Sequence, residues 1–296
     1  MYDIIIVGAG PAGLTAAIYA LRANKKVLIF EAKACGGQIL NASVVENYPG
    51  IISISGFDYS KSLVEQVKKL GGEIKFETVI KVEKDKKVYT EEGNYQAKAV
   101  IIATGASNRK LNIENEEDFV GKGVSYCASC DGNFFKGKDV AVVGGGNTAL
   151  EDAIYLSNIA KKVYIIHRRD TFRGERKLVK DVQSKDNIEI ILNSNVIKIN
   201  GEKKLDSIDI KDNEEKVSNL KIDGCFIAVG QSPRNDIFAN IVDLNDYGYI
   251  ETIDDVHTKV DGIYVAGDTR VKLLRQLVTA TSDGAIAATI AIKEMK

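Results

Sequence analysis

Short apolar runs recur along this chain, and glycines end them. Residues 3–7 run into Gly8-Ala9-Gly10-Pro11-Ala12-Gly13, a helical pattern follows from Pro11 to about Ala23, and a second run, 26–30, stops at Glu31. The same order returns later. Residues 139–143 run into Gly144-Gly145-Gly146-Asn147-Thr148-Ala149, a helical stretch continues to about Ala160, and the run 162–166 stops at His167-Arg168-Arg169. The step from the first glycine to the polar tip is 23 residues in both (31 − 8 and 167 − 144). A continuous apolar run bounded by turn residues suits a parallel strand buried on both faces. Each copy therefore predicts strand, glycine turn, helix, strand. This is the βαβ unit in which glycines let a pyrophosphate approach the backbone at a helix N-terminus. One such glycine pattern is weak evidence, and two in matching contexts argue against a turn used only for tight packing.

A second pair of segments repeats. Ile101-Ile102-Ala103-Thr104-Gly105 and Phe226-Ile227-Ala228-Val229-Gly230 are apolar runs ending at glycine, followed by polar, turn-rich stretches at 106–110 and 231–235. They read as two crossings between domains. The expected fold class is α/β, with two Rossmann-like, three-layer nucleotide-binding domains, the second inserted into the first. The expected boundaries are 1–108 and 235–296 for the outer domain and 109–234 for the inserted one. Short strands with polar turns between about Ile188 and Lys221 predict a β-meander beside the second βαβ unit.

The two tips differ in charge. Glu31 can accept from ribose hydroxyls and would repel a 2′-phosphate, so the first half suits FAD or NAD. His167, Arg168, Arg169 and Arg173 offer guanidinium forks to a dianionic phosphate, so the second half suits NADPH. His167 itself either joins that contact or only packs beside it. Near the C-terminus, Val265-Ala266-Gly267-Asp268 is a strand ending in a carboxylate, and Arg275-Gln276-Leu277 opens a helical stretch. A helix N-terminus near Gln276 would bring N–H groups and a positive dipole end toward an anionic reduced flavin ring.

Composition narrows the field. The chain has 296 residues, 45% hydrophobic and 27% charged, which suits two globular domains and excludes a disordered chain. The net charge of −1 leaves no bulk field for nucleic acid or an anionic membrane. The chain opens with neither a basic segment nor a cleavage site, and no apolar stretch approaches a membrane span, so a cytoplasmic location is expected. Of the four cysteines, Cys35 and Cys225 are isolated bystanders, whereas Cys127-Ala128-Ser129-Cys130 is a C-x-x-C. This spacing lowers thiol pKa values and suits disulfide exchange, with Asp131 beside it to carry a proton or merely to shape a turn. Half of a zinc site is the competing reading. It lacks a second C-x-x-C or paired histidines, so no metal is expected.

Together these motifs resemble the low-molecular-weight thioredoxin reductases. The matching stretches, in the family's order and over nearly the whole chain, are 8–13 (GAGPAG), 36–39 (GGQI), 46–50 (ENYPG), 103–107 (ATGAS), 126–132 (YCASCDG), 144–149 (GGGNTA), 167–173 (HRRDTFR), 266–268 (AGD) and 275–277 (RQL). The resemblance implies FAD in the outer domain, on Gly8, Gly10, Pro11, Ala12, Gly13, Glu31, Gly36, Gly37, Gln38, Asn47, Ala103, Thr104, Gly105, Asp268, Arg275, Gln276 and Leu277. It implies NADPH on Gly144, Gly146, Asn147, Thr148, Ala149, His167, Arg168, Arg169 and Arg173. It further implies a homodimer that passes electrons from NADPH through FAD and the Cys127–Cys130 disulfide to thioredoxin, the inserted domain rotating between half-reactions. In that scheme Cys130 is the flavin-side sulfur, Cys127 attacks thioredoxin and Asp131 is the acid. Gln231-Ser232-Pro233-Arg234-Asn235 departs from the family by one basic residue. A ferredoxin-dependent flavin reductase, the reductase of a peroxiredoxin system and a non-catalytic nucleotide- or zinc-binding module remain the alternatives.

Overall fold

The computed structural model of the chain describes residues 1–42 and 44–295. In chain order the elements are β1 (Tyr2–Val7), α1 (Pro11–Arg22), β2 (Val27–Phe30), α2 (Gly56–Lys69), β3 (Glu73–Lys75), β4 (Val79–Val82), β5 (Lys87–Thr90), β6 (Asn94–Ile102) and β7 (Ala106–Asn108). There follow β8 (Val124–Ser125), α3 (Ala128–Asp131), β9 (Asp139–Val143), α4 (Asn147–Ser157), β10 (Lys162–Ile166), α5 (Arg176–Gln183), β11 (Ile188–Ile191), β12 (Ser194–Gly201), β13 (Leu205–Asp212), β14 (Val217–Lys221) and β15 (Gly224–Ile227). The chain ends with β16 (Gln231–Pro233), β17 (Ile263–Val265) and α6 (Leu277–Glu294). It divides into two compact units. The outer unit is Met1–Ser107 with Ser232–Lys296, and the inserted unit is Asn108–Gln231.

In the outer unit the parallel strands run β3-β2-β1-β6-β17. Strand β6 is long: its first residues pair antiparallel with β5, which pairs antiparallel with β4, and its later ones lie in the parallel sheet. Successive residues of a strand face opposite sides, so the run Ile4-Ile5-Ile6-Val7 fills two cores. Ile4 and Ile6 pack under α1, α2 and α6, while Ile5 and Val7 join Phe238, Ile241, Val242 and Ile250 on the other face. Fully burying such a side chain stabilises by about 1.5–3 kcal/mol. Helices α1 and α6 approach closely because their contact is small: a Cβ on Gly284 would strike the Ala12 carbonyl.

The inserted unit repeats the plan. Its parallel strands run β11-β10-β9-β15-β8, and an antiparallel meander, β12-β13-β14, lies beside them. Its two cores are again separate, one centred on Ile199, Leu205 and Ile208 and one on α4. Two sequence expectations change here. Residues 188–191 do not open the meander. They form β11, which pairs parallel to β10 at the sheet edge, and the meander begins at Ser194. The stretches at 106–110 and 231–235 are not simply turns, because β7 and β16 form a two-stranded sheet of their own. No helix among the described residues is long and apolar enough to cross a membrane.

Candidate functional site

In the outer unit, β1 ends at Gly8, whose φ of +107° suits glycine, and a Cβ there would run into the Ala103 carbonyl. Gly13 must likewise lack a Cβ, because one would meet the Gly8 carbonyl. Gly10 has no atom within 4 Å of the space its Cβ would fill, and it caps α1 without any side chain on the first N–H groups. Pro11 occupies the first turn, where its missing N–H costs nothing. The result is an open cradle of unsatisfied donors, the shape a pyrophosphate fills. Glu31 sits at the end of β2 and its Oε2 accepts the Ala9 N–H at 2.9 Å, which fixes the carboxylate beside that turn.

The other outer-unit residues gather in part. Gly36 donates to the Ala9 carbonyl at 2.8 Å, bringing the 36–38 turn to the same cradle. Asn47 Nδ2 donates to Gln276 Oε1 at 3.1 Å, and Gln276 is the N-cap of α6 in a reciprocal capping box with Thr279. Leu277 is therefore the first residue of that helix. Thr104 and Thr269 hydroxyls lie 2.9 Å apart, and Thr269 donates to Asn235 Oδ1 at 2.6 Å. Arg275 is engaged by the chain itself. Its guanidinium lies 4.0 Å over the Tyr249 ring and donates to the Arg270 carbonyl at 3.2 Å. Asp268 is the diagnostic group, since its Oδ1 is buried with no hydrogen-bond partner and burial raises its pKa. A buried carboxylate oxygen left unpaired costs about 1–3 kcal/mol or more, so the site wants a donor from a ligand. Asp283 holds this loop: its Oδ2 accepts from Gly267 N–H, Arg270 Nε and Lys272 Nζ at 2.8–3.0 Å. The residues thus fit a bound flavin dinucleotide.

In the inserted unit, Gly146 caps α4 as Gly10 caps α1, again with no side-chain cap and no atom in the space a Cβ would take. Asn147, Thr148 and Ala149 form the first turn. Gly144 ends β9, where a Cβ would strike the Ala228 carbonyl. His167 is 4% exposed, and its ring lies against Gly145, stacks on Phe172 and donates from Nε2 to the Thr171 carbonyl at 3.1 Å. Burial lowers its pKa, with smaller pushes in the same direction from Arg173, Arg169 and Arg168, against the Thr171 hydrogen bond, which raises it. The ring therefore packs under the glycine turn. Arg173 N–H donates to the Gly145 carbonyl at 2.8 Å, and Asn147 and Glu175 clasp each other through bonds of 2.8 and 3.1 Å. The arginine loop is thereby tied to the glycine turn, while Arg168, Arg169 and Arg173 stay exposed and make no ion pair among the described residues. Three unpaired guanidiniums beside an uncapped helix end fit a dinucleotide with an added phosphate.

Cys127 and Cys130 form a disulfide at the start of α3. Ser129 Oγ lies 3.5 Å from Cys127 Sγ. Asp131 is mostly buried, which raises its pKa. Its Oδ2 accepts from Ser125 Oγ at 2.6 Å, while its Oδ1 is buried without a partner. A carboxyl biased toward its neutral form has a proton to give. Cys225 is fully buried in the sheet with its pKa pushed up to about 12, and burial also raises that of Cys35.

Residues 2–284 match the pyridine nucleotide-disulphide oxidoreductase family. The chain is 45% identical to a thioredoxin reductase of Bacillus subtilis, covering 97% of this chain and 93% of that one. It is 43% identical to a thioredoxin reductase of Treponema pallidum, covering 97% and 95%. The solved thioredoxin reductase of Streptococcus pyogenes superposes with a TM-score of 0.95 at 42% identity, covering 99% of this chain and 97% of that one. The chain therefore belongs to the pyridine nucleotide-disulphide oxidoreductases and, within them, to the low-molecular-weight thioredoxin reductases that use FAD and NADPH.

Proposed function

We propose that this chain reduces the disulfide of a thioredoxin, as a cytoplasmic homodimer, with the outer unit holding FAD and the inserted unit holding NADPH. The observation that carries this reading is the disulfide of Cys127 and Cys130 beside a buried, partnerless carboxylate oxygen, in a chain with two glycine cradles of opposite charge. Gly8, Gly10 and Gly13 would hold the FAD pyrophosphate, Glu31 the ribose and Asp268 the ribityl side. Gly144, Gly146 and Asn147 would hold the NADPH pyrophosphate, with Arg168, Arg169 and Arg173 on its 2′-phosphate. When bound, FAD would supply the two-electron chemistry that links a nicotinamide to the disulfide.

The protein's own residues do the rest. Two electrons break the Cys127–Cys130 bond, and Asp131 gives a proton to one of the two thiolates. Cys127 then attacks one sulfur of the thioredoxin disulfide, and the other leaves as a thiolate that takes a proton. Cys130 attacks Cys127 Sγ, which restores the internal disulfide and releases the second thioredoxin thiol. The overall change is NADPH, one proton and oxidised thioredoxin going to NADP⁺ and dithiol thioredoxin.

A coupled assay with NADPH, a thioredoxin and a disulfide dye tests the reading. Cys127→Ser and Cys130→Ser should each reduce turnover to background, while reduction of the bound flavin by NADPH survives in both. With Cys130→Ser, a mixed disulfide through Cys127 should be trapped and seen by mass. A trapped adduct that forms only through Cys130 reverses the two roles, and a wild-type protein without dye reduction defeats the reading.

A further inference from the structure

The serine two residues before the C-x-x-C has no role in the scheme above. Ser125 ends the edge strand β8, and only 5% of it is exposed. Its Oγ accepts the Cys127 N–H at 3.1 Å and lies 2.6 Å from Asp131 Oδ2 and 3.3 Å from the Cys127 carbonyl. A hydroxyl has one proton to give. The short contact to a carboxylate takes it, because charge-assisted bonds are the shorter and stronger ones. Ser125 therefore bridges two points, the backbone of Cys127 and one oxygen of Asp131. The other oxygen, Oδ1, has no protein donor.

We propose that Ser125 is a positioning residue for proton transfer at the Cys127–Cys130 disulfide: it locks Asp131 Oδ2 to the Cys127 backbone, so that Oδ1 alone exchanges a proton with a cysteine sulfur. The step balances. When the disulfide takes two electrons, the O–H bond at Oδ1 breaks, an S–H bond forms on one thiolate, and the carboxylate left behind keeps its Ser125 bond. The proton returns from water before the next turnover. This deepens the thiol-exchange reading and rests on it.

Ser125 must also set the pH range of the step. Burial favours the neutral acid at Asp131 and the Ser125 bond opposes it. Against α3 pack α4, carrying Glu151, Asp152 and Tyr155, and the turn 132–135, which has no titratable side chain; Tyr126 lies between Ser125 and Cys127. Around Asp131, burial and then the Ser125 hydrogen bond bear most on its pKa, the first raising and the second lowering it. Asp152, itself raised to about 7 by burial and Glu151, is the rival for any pH limb in this range and needs a control.

The experiment uses FAD-loaded Ser125→Ala, Ser125→Thr, Asp131→Asn, Asp152→Asn and the Ser125→Ala/Asp131→Asn double variant. The readouts are kcat/KM for thioredoxin against pH and, in parallel, NADPH-dependent ferricyanide reduction, which bypasses the thiols. Ser125→Ala should lower kcat/KM for thioredoxin at least about tenfold with ferricyanide reduction unchanged. Its alkaline limb should move to higher pH, because the bond that favoured the carboxylate is gone. Ser125→Thr should restore rate and limb, Asp131→Asn should erase the limb, and Asp152→Asn should leave it in place. In the Asp131→Asn background, Ser125→Ala should cost less than about twofold, since positioning has nothing left to position. If Ser125→Ala does not fold with flavin, Ser125→Gly takes its place under the same criteria. An unmoved limb, or full additivity of the two substitutions, overturns the proposal. A wild-type chain that leaves thioredoxin oxidised overturns the underlying reading instead.

Discussion

Glu31 and His167 occupy matching places, each the first residue beyond the second strand of a βαβ unit, and His167 is followed at once by Arg168 and Arg169, whose charge is opposite to that of Glu31. Glu31 is tethered to Ala9, whereas Arg168, Arg169 and Arg173 remain unpaired and exposed. A charged hydrogen bond contributes about 1.5–3 kcal/mol, less where water screens it. Arg168→Ala with Arg173→Ala should therefore lower kcat/KM for NADPH about a hundredfold or more while leaving NADH within about threefold. Equal kcat/KM for NADH and NADPH in the unmutated protein would defeat this assignment of the arginines. This contrast was legible in the sequence, because charge at a fixed step from a glycine turn is a local signal. Ser125, Asn235 and Glu175 were not. Asn235 earns its place through Thr104, 131 residues away, and Glu175 through Asn147, 28 away. Serine, asparagine and glutamate are too common for type alone to mark them. His167 was half legible: its place beside the arginines could be read, but not that its ring lies against Gly145.

Helix α6 joins the Gln276 cap at one end to an ion cluster at the other. Gln276 caps its start, and near its end Glu294 accepts from Tyr264 Oη at 2.8 Å and meets His257 Nε2 at 3.1 Å. His257 Nδ1 faces Asp254 at 2.7 Å. The Asp254 hydrogen bond, then that of Glu294, raises the His257 pKa above its ordinary value of 6.5 despite some burial. A group whose pKa is higher folded than unfolded stabilises fully below its unfolded pKa and loses that contribution as pH climbs through the folded one. The Tm of the outer unit should therefore fall by no more than ~3 °C as pH rises from about 6.5 through the raised value. His257→Gln should flatten that slope, and salt should weaken it. A slope unchanged in His257→Gln would mean that His257 does not set it. Elements with strong periodicity, such as β1, α1, β9 and β10, were readable to within a residue or two, because buried parallel strands leave unbroken apolar runs. β11 was not: Ile188-Glu189-Ile190-Ile191 breaks its apolar run with a carboxylate, as an edge strand that is partly exposed allows, so it reads like the meander strands that follow. The β7–β16 pairing escaped for another reason. Both strands are three residues long and polar, and the Gln231 Nε2 bond to Asn108 Oδ1 spans 123 residues.

At the scale of the molecule, the two units are one architecture used twice with different starting points. β8 stands beside β15 in the inserted unit as β17 stands beside β6 in the outer one, with the same parallel pairing. In the outer unit the chain leaves that strand for Gly267 and Asp268; in the inserted unit it leaves for Cys127 and Cys130. The place that presents a buried, partnerless carboxylate oxygen in one unit presents the disulfide in the other. Each unit also closes its own cores, since among the described residues no cluster of buried residues mixes the two. A unit with its own core and complete sheet has what folding alone requires. Residues 108–231, expressed without the rest, should therefore unfold cooperatively, show one disulfide between Cys127 and Cys130 by peptide mass, and be retained on immobilised adenosine 2′,5′-bisphosphate. Retention should be lost in Arg168→Ala/Arg173→Ala. The fragment should be colourless and incapable of turnover with NADPH, while its chemically reduced dithiol still reduces thioredoxin. The complementary protein, with Ser107 joined to Ser232 by a short flexible linker, should be yellow and inert toward thioredoxin. A 108–231 fragment that binds hydrophobic dye, lacks near-ultraviolet dichroism and melts without a transition would mean that its cores do not suffice, and that folding of the inserted unit depends on the outer one.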